Sequence, residues 1–183
     1  ALAYDAGSVR GSLLKADIAM AEANWREAIK ALKRVAQQDA AFISETVARL
    51  VICYTQLGQK SELESVLRQC QNTTPSTSVM LALAARIQDR LGAYAAGSFI
   101  TDELKKRPSI KGFNRLIDLY IAHTSQNANE SLTVLRGLTG QLEQTKPVYR
   151  CQRCGFAGKV LHWQCPSCQT WGSTKPVQGL EGE

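Results

Sequence analysis

Two Cys-x-x-Cys pairs near the end of the chain constrain its fold more than any other feature. The pairs are Cys151 with Cys154 and Cys165 with Cys168, and ten residues separate them. A Cys-x-x-Cys turn supplies two soft ligands from one tight loop, so two such turns complete a tetrahedral shell around one ion. Gly155 directly follows the second ligand, at a position that suits positive φ. The spacing predicts a four-thiolate site for one iron or zinc ion, with no position left for substrate.

Two other interpretations of the cysteines are weaker. Structural disulfides would fit the even count, but nothing else marks a secreted chain, and Cys53 and Cys70 lie within predicted helices as small buried residues. A thioredoxin-like redox pair would need a βαβ context, which the sequence does not provide. Metal binding, in a structural role, remains the preferred interpretation.

Length and charge set broad limits. The 183 residues suffice for one ordinary domain and a small one, and the net charge of +6 marks a mildly basic protein. This charge permits nucleic acid binding but is explained equally well by an acidic protein partner. The sequence contains neither a signal peptide nor an apolar run approaching the ~20 residues of a membrane span. Because the chain begins without Met and enters helical sequence almost at once, we expect it to be a fragment of a longer protein.

Residues 1–146 are predicted to form about four tetratricopeptide-type helical repeats. Apolar residues recur there at helical spacing, and the repeat period is close to the 34 residues of that family. The second unit has its pattern residues at Leu50, Val51, Tyr54, Gly58, Leu63, Leu67 and Pro75. The third has them at Met80, Leu83, Ala84, Ile87, Ala96, Ile100 and Pro108. The fourth runs through Phe113, Leu116, Ile117 and Tyr120, with a loose turn at Thr124–Ala128. The alternative is an irregular α-helical bundle.

Stacked helix pairs form an α-solenoid that presents ridges of side chains to proteins or peptides. Polar residues of the first helices are therefore candidates for partner contacts, although a solvated charge is the simpler interpretation of each. The candidates are Arg49, Arg86, Arg90 and Arg115.

Residues 147–183 are predicted to be a separate, small β module whose folding depends on the ion, because so few residues cannot make a hydrophobic core. Phe156 to Trp163 is predicted to form a β-hairpin or ribbon between the two metal-binding turns. Trp163 and Trp171 are large for so small a unit, and we expect one or both to pack onto the helices. Trp163 is also a candidate for protein contacts.

The combination of these features resembles a known family. Tetratricopeptide units run directly into Tyr149-Arg-Cys-Gln-Arg-Cys-Gly-Phe156, followed by His162-Trp-Gln-Cys-Pro-Ser-Cys168 and Lys175-Pro-Val-Gln-Gly-Leu180. This arrangement is similar to the C-terminal part of the lipopolysaccharide assembly protein B family. The resemblance implies a rubredoxin-type module docked on the repeats, with Cys151, Cys154, Cys165 and Cys168 as the metal ligands.

The resemblance also implies a non-enzymatic adaptor at the cytoplasmic face of the bacterial inner membrane. Members of that family direct the membrane protease FtsH towards the deacetylase LpxC and gather lipopolysaccharide assembly proteins, so proteins are the expected partners and nucleic acid is not. Family members carry an N-terminal anchor and further repeats, neither of which is in this sequence. A homo-oligomer is left open.

Two departures from full rubredoxins leave the choice between iron and zinc open. The segment between the cysteine pairs is only ten residues long, and Gln169 stands where a Gly is expected after the fourth Cys. An electron carrier is the first alternative function and would require iron. A nucleic-acid-binding zinc ribbon is the second, suggested by Arg150, Arg153, Lys159 and Lys175. The sequence offers no hydrolase or transferase motif around its two histidines.

Overall fold

The protein is described here from a computed structural model, which covers residues 5–123 and 126–183, without the side chains of residues 126–128. Helices dominate, and a small antiparallel sheet follows them, which confirms the predicted fold class. The described helices are α1 (Val9–Ala21), α2 (Trp25–Gln38), α3 (Ile43–Gln56), α4 (Lys60–Thr73), α5 (Thr77–Leu91), α6 (Ala93–Lys106), α7 (Ile110–His123) and α8 (Gln126–Thr145).

Short turns join the described helices one after another, and their grouping into four repeat units remains a prediction. A residue in the left-handed conformation lies between α1 and α2, between α3 and α4, and between α5 and α6: Ala23, Gly58 and Gly92, with φ values of 54°, 69° and 86°. This conformation lets the chain reverse in one to three residues. Of the fourth turn, predicted at Thr124–Ala128, residues 124 and 125 lie outside the described part of the chain, and α8 begins at Gln126.

Side-chain caps mark several helix starts. The Ser8 hydroxyl accepts a hydrogen bond from the Gly11 N–H, and the Asn24 side chain accepts one from Glu27 N–H. Each cap satisfies an N–H that has no partner inside the helix. The sequence therefore fixes where these helices begin, in addition to which face they bury.

The chain divides into two compact units, residues 1–82 and 83–183. The first unit has an apolar interior in which α1 packs on α2, α2 on α3 and α3 on α4. Its buried residues include Ala16, Ala28, Leu32, Val35, Leu50, Cys53, Tyr54, Leu63 and Leu67. Leu50, Tyr54, Leu63 and Leu67 are pattern residues of the second predicted repeat, so the pattern identifies the buried residues of that repeat. Burial also raises the pKa of the Cys53 and Cys70 thiols.

The second unit contains α6, α7, α8 and the sheet. The predicted pattern residues Leu83, Ala84, Ile87, Ala96 and Ile100 are buried there. The division at residue 82 does not coincide with the predicted boundary between residues 146 and 147, which remains a prediction about folding units.

The fourth helix pair differs from the prediction. Phe113 and Tyr120 were expected in its core, yet they are 42% and 52% exposed. Asn114 is buried instead, and its side-chain amide donates to the Glu143 carboxylate. Polar contacts thus replace the expected apolar ones, since Arg136 of α8 also donates to Asp118 of α7 at 2.8 Å.

The polar side of α8 therefore faces α7, and its apolar side faces away. Val134, Leu135, Leu138 and Leu142 are between 45% and 64% exposed. We call these four residues the α8 apolar face. No residue from 131 to 142 on the exposed side of the helix is charged. An amphipathic helix normally buries its apolar side, so this orientation leaves a surface suited to a partner.

Three short strands follow: β1 (Tyr149–Cys151), β2 (Ala157–Gly158) and β3 (Thr174–Pro176). They pair antiparallel in the order β2-β1-β3, with Arg150 opposite both Ala157 and Lys175. The hairpin predicted from Phe156 to Trp163 does not form, because β2, the strand in this segment, pairs with β1. Across the described residues, no helix has the length and hydropathy to cross a membrane.

Candidate metal centre

The four cysteine sulfurs lie together at one end of this sheet, all within 4.8 Å of one another. The distance from Cys151 Sγ to Cys168 Sγ is 3.7 Å, and from Cys154 Sγ to Cys165 Sγ it is 3.6 Å. A tetrahedral ion with metal–sulfur bonds of about 2.3 Å requires sulfurs about 3.8 Å apart. The cluster therefore fits one tetrahedral metal ion. The geometry does not choose between iron and zinc, because both accept four thiolates.

The two metal-binding turns have the same backbone. In the first, Gly155 N–H donates to Cys151 O (3.0 Å), and Cys151 N–H donates to Phe156 O (2.7 Å). In the second, Gln169 N–H donates to Cys165 O (2.9 Å), and Cys165 N–H donates to Thr170 O (3.0 Å). Because each turn presents two sulfurs from one tight loop, the pair of turns forms the tetrahedron by approaching from opposite sides.

The residue after each second cysteine takes the left-handed conformation. Gly155 has φ 78°, as predicted, and Gln169 has φ 56°. A residue with a Cβ pays roughly 1–2 kcal/mol in this conformation. The absence of Gly at position 169 thus leaves the geometry of the turn intact at some energetic cost.

Hydrogen bonds to sulfur favour the ionised form of two cysteines. The Ser173 hydroxyl, 3.2 Å from Cys151 Sγ, and the backbone N–H groups of Cys154 and Arg153 lower the pKa of Cys151 to about 6. The hydroxyl and backbone N–H of Thr170 lower the pKa of Cys168. Thiolates are the metal-binding form of cysteine, so these contacts prepare the site for a cation.

The remaining two cysteines differ from each other. A hydrogen bond from the Cys168 N–H acts to lower the pKa of Cys165. Burial and the neighbouring thiols of Cys154 and Cys151 outweigh it and raise this pKa to about 11. Cys154 is exposed, whereas Cys151 and Cys165 are buried. The cluster therefore has a buried side and one edge that solvent reaches.

Residues 177–183 connect the metal module to the last helix pair. Leu180 O accepts a hydrogen bond of 2.9 Å from the N–H of Ile110, the first residue of α7. Lys111 pairs with the buried Glu183 carboxylate at 2.8 Å, and Lys146 pairs with Glu181 at 2.6 Å. A buried carboxylate needs such a partner. The module is thus held on the helices by hydrogen bonds and ion pairs as well as by the chain itself.

The 177–183 segment is folded tightly on itself. Glu183 N–H donates to Val177 O, and Gly179 N–H donates to Glu183 O, at 2.7 and 2.8 Å. A Cβ on Gly182 would lie 1.9 Å from Val177 O, so only glycine fits this path. Sequence reasoning missed this contact, and the packing of Trp163 or Trp171 onto the helices remains a prediction. Trp171 is 62% exposed, while Trp163 is half-buried.

The arginines predicted to contact partners are divided between the two units. Arg49 donates to Asp17 at 2.7 Å in the first unit. In the second, Arg86 pairs with Asp89, Arg115 donates to Gln88 at 2.6 Å, and Arg90 is exposed in the last turn of α5. Their role in partner binding remains a prediction.

Two cavities of the second unit have no counterpart in the sequence analysis. A groove of about 700 Å³ lies between α6 and α7, and its lining includes Tyr94, Gly97, Leu116, Leu119, Tyr120 and His123. A smaller cavity of about 350 Å³ lies beside the 177–183 segment and includes Lys111, Arg136, Lys146 and Lys159. The sequence feature that could have indicated the groove is the pair of aromatic residues Tyr94 on α6 and Tyr120 on α7.

Comparison with known proteins agrees with this site. Residues 149–176 match the family model described as "Rubredoxin metal binding domain". The chain is 38% identical over 181 residues to lipopolysaccharide assembly protein B of Escherichia coli strain K12, and 35% identical over 183 residues to its namesake in Haemophilus influenzae. The alignments include 98% and 99% of this chain but 46% of each relative, so the chain spans about half their length. These matches confirm the resemblance that the repeats and cysteine motif predicted.

Proposed function

The chain is homologous to lipopolysaccharide assembly protein B over almost its whole length, and from this premise we propose that it is part of a non-enzymatic adaptor for lipopolysaccharide assembly. In this proposal the helix pairs bind partner proteins. The metal module, with Cys151, Cys154, Cys165 and Cys168 as ligands, holds part of the binding surface in place. The full-length protein acts at the cytoplasmic face of the inner membrane.

A structural role for the metal is supported by the composition of the cluster. Four sulfurs of the chain account for a complete tetrahedral shell, and a catalytic zinc site normally keeps one position for water or substrate. When bound, the ion would cross-link two turns of a module with few buried apolar side chains. We therefore assign the ion to folding rather than to chemistry on a substrate.

The α8 apolar face is the observation that carries the protein-binding role. Its four aliphatic side chains are exposed, while Arg136 and Glu143 of the same helix contact α7. Exposing this many apolar groups on one helix costs free energy unless a partner covers them, at roughly 25 cal/mol per Å². The groove between α6 and α7 supplies a concave surface in the same unit.

More specifically, we propose that the full-length protein presents the LpxC deacetylase to the FtsH protease and so limits lipopolysaccharide synthesis. The experiment is affinity capture of full-length protein from membranes, comparing wild type with Leu138→Glu and Cys165→Ser. Both variants should lose FtsH and LpxC and lengthen the LpxC half-life. Leu14→Glu, at a similarly exposed leucine of the first unit, shows whether a loss of capture is specific to the α8 apolar face. Undiminished capture by both test variants would refute the proposal.

Electron transfer is the second candidate, and the exposed Cys154 favours it, because a solvent-reached ligand gives electrons a path to the ion. It requires iron. Metal analysis of protein purified without added metal, together with its visible absorption spectrum, tests it. A protein that carries only zinc excludes this function, since zinc has no redox chemistry.

A further inference from the structure

Two of the four sulfurs have a hydroxyl group as a neighbour. Ser173 Oγ lies 3.2 Å from Cys151 Sγ, and Thr170 Oγ1 lies 3.4 Å from Cys168 Sγ. Among the described residues, no hydroxyl comes within hydrogen-bonding distance of Cys154 or Cys165. The two supported sulfurs belong to different turns and are themselves neighbours, at 3.7 Å. The hydroxyl groups therefore support one edge of the tetrahedron.

Arg153 fixes the direction of the Thr170 hydroxyl. Its guanidinium donates to Thr170 Oγ1 at 2.6 Å and so bridges the first turn to the second. Because Arg has only donors, Thr170 Oγ1 must accept, which leaves its own proton for another group. That group is Cys168 Sγ or Cys168 O, both at 3.4 Å. An ionised sulfur is the stronger acceptor of the two, since it carries the charge.

The Ser173 hydroxyl likewise has two possible acceptors for its proton. Its hydroxyl donates to Thr170 O at 3.1 Å and lies beside Cys151 Sγ. A metal-bound sulfur has no proton to give, so only the serine can supply the hydrogen between them. Thr170 O also accepts from the Cys165 N–H at 3.0 Å, and it keeps that partner when the serine turns to the sulfur.

We propose that Thr170 and Ser173 are positioning residues of the metal centre, donating hydrogen bonds to the Cys168 and Cys151 thiolates, and that Arg153 acts through Thr170. The proposal rests on the four-cysteine site of the proposed function. Four thiolates around a divalent ion leave two negative charges, which hydroxyl donors stabilise. The same contacts orient the sulfurs before the ion arrives.

The test is the affinity of the full chain for zinc and cobalt, measured by competition with a chelator. Thr170→Val and Ser173→Ala should each weaken binding roughly 10- to 100-fold, the effect typical of residues that contact metal ligands. Thr170→Ser, which keeps the hydroxyl, should bind as the wild type does. Ser167→Ala is the matched control: Ser167 lies in the second turn, and its hydroxyl contacts none of the sulfurs within the described structure.

A double-mutant cycle tests the role of Arg153. Arg153→Gln should weaken binding alone but add nothing to Thr170→Val, because it acts through that hydroxyl. Arg150→Gln is the control for loss of a nearby positive charge. The inference is overturned if Thr170→Val and Ser173→Ala bind as tightly as Ser167→Ala, or if the Arg153 and Thr170 effects simply add. The proposed metal centre itself is wrong if the wild type binds neither zinc nor cobalt, or if bound cobalt lacks the absorption bands of sulfur-to-cobalt charge transfer.

Discussion

The early helix pairs and the metal module are stabilised in different ways. In the helix pairs the most buried side chains are aliphatic, among them Leu32, Leu63, Leu67 and Ile100. In the module they are the thiols of Cys151 and Cys165, together with polar Thr174 and Glu183. The comparison shows that one chain can change from apolar burial to ligand and ion-pair contacts where too few residues remain for a core.

Metal removal should have the largest effect and should be confined to the module. With a chelator or in Cys151→Ser, residues 149–176 should lose amide protection, because structural zinc supplies about 10–16 kcal/mol in comparable small domains. The helices α1 to α6 should stay protected. Hydrogen exchange with mass spectrometry measures both.

Cys70→Ala is the control for this experiment, because it removes a thiol outside the cluster. Its module should remain protected. If residues 149–176 stay protected without metal, the module has a core of its own and the contrast between the two regions disappears.

Leu63→Ala should show the opposite pattern. Leu63 is 0% exposed, so its truncation should reduce the free energy of unfolding by about 2–5 kcal/mol. Metal affinity should not change. Urea unfolding followed by helical circular dichroism gives the first quantity. Leu138→Ala, on the exposed α8 apolar face, should change stability by less than about 0.5 kcal/mol. An equal loss in both variants would contradict the description of the interior.

Gly182→Ala should have an intermediate effect at the junction of the two regions. The added Cβ would meet Val177 O at 1.9 Å, so the 177–183 segment must move away from α7. Loss of the Lys111–Glu183 and Ile110–Leu180 contacts should cost about 1–3 kcal/mol. Hydrogen exchange at residues 110–111 and 177–183 reports the change.

Gly137→Ala gives a control of opposite sign. A Cβ at Gly137 meets nothing within 4 Å, and alanine favours helix over glycine by up to about 1 kcal/mol. This variant should be at least as stable as the wild type. If hydrogen exchange shows the 177–183 segment to be equally protected in Gly182→Ala and Gly137→Ala, the segment tolerates the extra carbon.

The smallest predicted effect is a change in how steeply zinc affinity depends on pH. Protons compete with metal for thiolates, so affinity falls as pH falls. At pH 7 the ion must displace the proton of Cys165, with a pKa of about 11, but not that of Cys151, with a pKa of about 6. Below pH 6 it must displace both. The logarithm of zinc affinity should therefore fall more steeply below pH 6, by about one proton, and Ser173→Ala should move this break to higher pH. A constant slope from pH 8 to 5 would contradict the assignment.

The sequence predicts the early helix pairs and the cysteine cluster because both depend on local spacing. Leu63 and Ala96 are identified by position within a repeat, and the four cysteines by position within two turns. The fourth helix pair is predicted less well. Phe113 and Tyr120 fit the apolar pattern, but contacts from Asn114 to Glu143 and from Asp118 to Arg136 turn the helices so that these rings are exposed.

The 177–183 segment could not be predicted for a related reason. Its contacts with Ile110, Lys111 and Lys146 join residues far apart in sequence, and no periodicity marks them. A lysine at position 111 and a glutamate at position 183 are ordinary surface residues until the fold brings them together. The importance of Gly182 depends on the position of one carbonyl oxygen, that of Val177, which local sequence does not reveal.

The attachment of this segment to α7 also has a consequence for the order of folding. Cys151 and Cys168 are 17 residues apart in the chain, whereas Lys111 and Glu183 are 72 apart. Closing the longer loop costs about 1.3 kcal/mol more in chain entropy, and contacts of high contact order generally form late. The metal turns should assemble first and the segment should close onto α7 afterwards. On unfolding, the same contact should open early and release a module that still holds its ion.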